Sequence, residues 1–96
     1  MERDEIARIL ATHRKELEAF GVRSLALFGS VVRGEATSDS DVDILVEFSK
    51  PVGLFGFLEV KERLESLLGV RVDLVTRNAL HPRLRDSILK EAVHAC

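Results

Sequence analysis

The chain has 96 residues, enough for one domain around one core and too few for two. Its 46% hydrophobic and 31% charged residues match a soluble globular protein and exclude a disordered one. A formal net charge of -2 argues against a dedicated nucleic-acid binder, which carries a basic surplus; it leaves nucleotide binding open, because one metal site can bring in a phosphate.

In chain order, Met1 to Glu5 is charged and has no apolar run, which predicts no signal peptide. Residues 4–20 predict a helix, with Ile6, Ile9, Leu10, Leu17 and Phe20 at helical spacing and Gly21 where a helix stops. Residues 24–28 predict a short, buried strand ended by Gly29-Ser30. Residues 31–41 read as a loop with one helical turn after Ser30. Residues 42–48 are β-branched and predict a second strand. Pro51 and Gly53 break the pattern, and residues 54–68 predict an amphipathic helix with Leu54, Phe57, Leu58, Leu64 and Leu68 along one side. Gly69 stops it, residues 70–75 alternate as a third strand, and residues 83–94 predict a last helix with Leu84, Ile88, Leu89 and Ala92 inward. The lone cysteine, Cys96, cannot form an internal disulfide and fits a reducing cytoplasm. No apolar run is long enough for a membrane span. The order predicts one α+β domain over 1–96: a small mixed β-sheet with packed helices, and a parallel crossover between the second and third strands.

The chemistry concentrates at strand ends. Asp41 and Asp43 are two apart on a strand and so share a face, while Val42, Ile44, Val46 and Phe48 take the core face. Adjacent carboxylates repel unless a cation sits between them, and Mg²⁺ takes oxygen ligands while keeping room for phosphates. Asp73 repeats the geometry on the third strand and joins the other two if the strands are neighbours. Three carboxylates around two Mg²⁺ ions suit a displacement at phosphorus, one ion activating the attacking oxygen and the other holding the triphosphate. Gly29 lets backbone approach a phosphate, Ser30 offers a hydroxyl, and Arg33, one turn on, reaches either a phosphate or Glu35.

Gly29-Ser30, ten residues, Asp41-Val42-Asp43 and a later Asp73 on a strand resemble the nucleotidyltransferase superfamily that includes DNA polymerase beta. Gly29-Ser30-Val31-Val32-Arg33-Gly34-Glu35 followed by Ser38-Asp39-Ser40-Asp41-Val42-Asp43 is similar to the minimal nucleotidyltransferase (MNT) branch, and the likeness extends through Leu84 to Ala92. The resemblance implies the polymerase beta-like fold, ATP as substrate, and a HEPN-domain ribonuclease toxin as partner in a hetero-oligomer or beside a homo-oligomer. It also implies an antitoxin that transfers AMP onto a tyrosine of that toxin.

Blander readings stand beside these. Asp41 and Asp43 also fit solvated residues at a strand entry, and Asp73 a surface pair with Arg71 or Arg77. Arg33 and Glu35 fit a loop-shaping ion pair, and Asp39 reads as loop-shaping. His13, His81 and His94 are too scattered for a metal set. Phe48, Phe55 and Phe57 read as core, with an exposed Phe55 marking a partner site instead. The competing functions are a non-catalytic antitoxin that acts by contact and a small-molecule nucleotidyltransferase; the second normally needs an added substrate-binding domain.

Overall fold

The computed structural model describes residues 2–35 and 41–96, so the expectation for Asp39 lies outside the described residues. The chain opens with α1 (Arg3–Thr12) and α2 (Arg14–Ala19) instead of one helix over 4–20. The break is His13, whose φ of -104° and ψ of 18° leave the helical region. Its Nδ1 lies 2.9 Å from the Ile9 carbonyl oxygen, so the imidazole partners a carbonyl at the end of α1, a structural role. Ile6, Leu10 and Leu17 still face inward across the break.

Among the described residues, four strands form one mixed sheet, with the third strand at one edge, then the second, the first and the fourth. β1 (Val22–Phe28) is antiparallel to β2 (Val42–Phe48), and β2 is parallel to β3 (Val72–Thr76). A parallel pair needs a crossover, and α4 (Leu54–Leu68) supplies it. Gly69, left-handed at φ 71°, ends α4 where the sequence predicts the stop. Just beyond, the Val72 N–H donates to Glu65 Oε2 at 2.9 Å, which ties the start of β3 to the last turns of α4. The third strand runs over Val72–Thr76, against an expected 70–75.

The two faces of the sheet divide the core. Leu25, Leu27, Ile44, Val46, Val72 and Leu74 join Ile6, Leu10, Leu17, Val60, Leu64 and Leu68 of the first two helices and α4. The opposite face carries a smaller cluster of Phe28, Leu45 and Leu80, against which Ile88, Leu89 and Ala92 pack. Those last residues belong to α5 (Pro82–Glu91) and the position after it. α5 stops short of the expected 94, and Val93–His94 form β4, antiparallel to β1. Two residues carry no readable alternation, so the pattern predicts no strand there.

Four apolar placements differ from expectation. Leu84 is 56% exposed, because α5 covers a small cluster with Ile88 and Leu89 and turns Leu84 away. Leu54 and Phe55 are 69% and 81% exposed, and Leu58 is also exposed. The buried stripe of α4 runs through Val60, Leu64 and Leu68, so its first turn projects past the sheet. Among the described residues no helix is long and apolar enough to cross a membrane.

Candidate active site

The register of the sheet assembles the site. Asp43 pairs with Asp73 across β2 and β3, and with Phe28 across β1 and β2. Gly29 follows Phe28, so it arrives beside Asp43 at the same edge. A Cβ on Gly29 would overlap the Asp43 carboxylate. Gly29 also has φ 76°, a conformation that side chains disfavour. Position 29 is therefore glycine for two reasons, and the result is backbone in van der Waals reach of a carboxylate.

Asp43 and Asp73 lie on the face of the sheet that bears Leu45 and Val75, away from the main core, as period-two alternation predicts. Asp43 is half-buried and Asp73 exposed. The Asp43 carboxyl is raised from 3.8 to about 6, first by burial, then by the charge of Asp73 and a hydrogen bond with it, then by Asp41. The positive charge of the Arg33 guanidinium acts the other way.

Asp41 is placed differently. It precedes β2, so the strand ladder does not set its direction. Its Oδ1 lies 3.9 Å from Arg71 Nε, a loose and largely exposed ion pair. Arg71 thus pairs with Asp41, not with Asp73. Among the described residues, no three His, Cys, Asp or Glu side chains converge into a ready-made metal cluster. The three carboxylates are one tight pair with a third group at its margin.

Opposite the pair stands the Gly29-Ser30 turn. Ser30 begins α3 (Ser30–Arg33), a single turn closed by Gly34 at φ 74°. Arg33 Nη1 donates to Glu91 Oε1 at 2.7 Å, and Arg33 Nε donates to Glu35 Oε2 at 3.4 Å. The Arg33–Glu35 pair weighed from the sequence is present. Glu91 was not foreseen. Its second oxygen, Oε2, accepts from the Gly29 N–H at 3.3 Å. Hydrogen bonding to Arg33 holds the Glu91 carboxyl below its usual range and Arg33 above its own. Gly29 and Glu91 are 62 residues apart, and a glutamate at a helix end reads as solvated, so no local signal marks it.

The geometry is therefore a carboxylate pair facing a glycine turn and an arginine, a place for a metal-bound phosphate. Residues 7–94 match the nucleotidyltransferase domain family. The chain belongs to the minimal nucleotidyltransferase family. It is 52% identical over 92 residues to the protein adenylyltransferase MntA of Thermococcus cleftensis, covering 95% of this chain and 93% of that one. A solved structure described as a candidate minimal nucleotidyltransferase is 40% identical, with a TM-score of 0.75 over 97% of this chain and 95% of that one. At 20% identity, a complex of a tri-AMPylated Shewanella oneidensis HEPN toxin with an MNT antitoxin shares the fold alone; its TM-score is 0.66, covering 95% of this chain and 71% of that one. The chain is accordingly a nucleotidyltransferase with an α+β fold of the polymerase beta type.

Proposed function

We propose that this minimal nucleotidyltransferase transfers AMP from ATP to a tyrosine hydroxyl of a partner HEPN toxin, in a Mg²⁺-dependent reaction at Asp41, Asp43 and Asp73. The observation that carries the reading is the Asp43–Asp73 pair set against Gly29. A protein acceptor is supported by the adenylyltransferase name of the 52% identical relative. The toxin as acceptor is supported by the AMPylated HEPN toxin held by the distant MNT antitoxin.

The donor set fits Mg²⁺: hard carboxylate oxygens, with Asp43 raised partly by like charge that a divalent cation relieves. Asp43 and Asp73 would hold the ions, and Asp41 would complete the set on turning from Arg71. When bound, Mg²⁺ neutralises the triphosphate and the leaving pyrophosphate and activates the attacking oxygen.

This chain's own residues do the rest. Ser30 donates its hydroxyl to a phosphate oxygen, and Gly29 lets the triphosphate approach the backbone. Arg33 lends positive charge to the same wall. The phenolic oxygen of the acceptor attacks the α-phosphorus, and a new P–O bond forms. The bond from that phosphorus to the pyrophosphate oxygen breaks, and the phenolic proton passes to solvent. Incubation of the purified chain with ATP and the HEPN toxin tests the reading. AMP should appear on a toxin tyrosine with Mg²⁺ and not with chelator; no added mass in either sample, or AMP on another residue type only, would refute it.

A further inference from the structure

Among the described residues, Glu91 touches two parts of the proposed phosphate wall at once. Its Oε2 accepts from the Gly29 N–H at 3.3 Å, and its Oε1 accepts from Arg33 Nη1 at 2.7 Å. Neither oxygen is idle, and the side chain is only 23% exposed. We infer that Glu91 is a positioning residue for nucleotide binding: one carboxylate sets both the Gly29-Ser30 turn and the Arg33 guanidinium in place before the triphosphate arrives. The inference rests on the nucleotide reading of the site and adds a residue that reading does not use.

Three features of the fold support it. First, Glu91 cannot drift. Ile88, Leu89 and Ala92 around it pack on the sheet, and Val93–His94 immediately after it pair with Leu27 and Ala26. A carboxylate held on both sides in sequence is preorganised. Second, Gly29 has φ 76° and sits against the Asp43 carboxylate, and its N–H finds a partner outside the turn. Glu91 supplies it from the α5 side. Third, Arg33 is gripped at two edges, by Glu91 on Nη1 and by Glu35 on Nε. A guanidinium fixed in this way loses less freedom on meeting a phosphate. Its positive charge is felt at the Asp43 carboxyl.

Calorimetry with Mg²⁺ and a non-hydrolysable ATP analogue, on wild type, Glu91→Gln, Glu91→Ala, Arg33→Gln and the Arg33→Gln/Glu91→Ala double variant, tests this. Glu91→Ala is expected to weaken analogue affinity about tenfold. Glu91→Gln, whose amide oxygen still accepts from Gly29, should recover part of that loss. The double variant should bind close to the weaker single one, because both act through one clamp. The Gly29 amide reports independently of nucleotide: its hydrogen exchange in the ligand-free protein should speed up in Glu91→Ala and less so in Glu91→Gln. Wild-type affinity in Glu91→Ala, fully additive losses, or an unchanged Gly29 exchange rate would overturn the inference while leaving the nucleotide reading intact. Tighter binding by Glu91→Ala would also overturn it, showing a carboxylate that competes with phosphate. Failure of the wild type itself to bind the analogue would sink the nucleotide reading, and the inference with it.

Discussion

Replacing Asp43 with Asn should stabilise the metal-free protein, by an amount that grows from about pH 4 and is complete above about pH 6. The Asp43 carboxyl is raised from 3.8 to about 6 by burial and by Asp73. A carboxyl raised on folding binds its proton more tightly in the native state. Its stabilising contribution is complete below the unfolded value and is lost as pH rises through the folded one. At about 1.4 kcal/mol per pH unit, the rise corresponds to a ceiling of about 3 kcal/mol. Asp43 is only half-buried, and solvent screening reduces this to about 1–2 kcal/mol. Asn has the same shape and carries no charge at any pH, so the loss is absent in the variant. Urea unfolding in chelator at about pH 4 and about pH 7.5 measures the difference. Wild type should lose about 1–2 kcal/mol more than Asp43→Asn between the two. Added Mg²⁺ at the higher pH should restore wild type and leave the variant nearly unchanged. Parallel pH profiles for the two proteins, or an equal Mg²⁺ effect on both, would refute the coupled-carboxylate account.

Three further outcomes follow from the same geometry. Gly29→Ala puts a Cβ into the Asp43 carboxylate and strains a residue at φ 76°, so it should cost about 2 kcal/mol by urea unfolding and abolish transfer; full stability would mean the turn can rearrange freely. Ser30→Ala should weaken ATP binding about tenfold by calorimetry with the melting temperature unchanged, since one hydrogen bond to a charged group is worth about 1.5–3 kcal/mol. ATP should bind more tightly in Mg²⁺ than in chelator, and equal affinities in the two titrations would remove the metal from the site.

Much of the site was legible because strands repeat every two residues. Val42, Ile44 and Val46 mark the core face of β2, so Asp43 had to lie on the other, and Val72 and Leu74 place Asp73 in the same way. Glycine marks the other wall, where Gly29 must follow a buried strand. What sequence hides is what distance in the chain hides. Glu91 meets Gly29 and Arg33 only because α5 folds back over the sheet. Asp41 shares the parity of Asp43 but falls outside the ladder, so parity does not fix its carboxylate, which turns to Arg71. Helical faces were harder than strands. The apolar residues of α4 wrap more than one side, and periodicity does not say that Val60 is buried while Leu54 and Phe55 are exposed. The break at His13 depends on a local hydrogen bond to Ile9, which an apolar pattern cannot report.

In the proposed reaction the Asp43 carboxylate drives covalent modification of a partner toxin. The intact mass of a HEPN toxin after co-expression with wild type and with Asp43→Asn tests it most directly. The account predicts toxin carrying one or more AMP groups beside wild type, and unmodified toxin still bound to Asp43→Asn, with poor protection of the cells. Unmodified toxin in both samples with equal neutralisation would contradict it, and would make the chain an antitoxin that acts by contact alone.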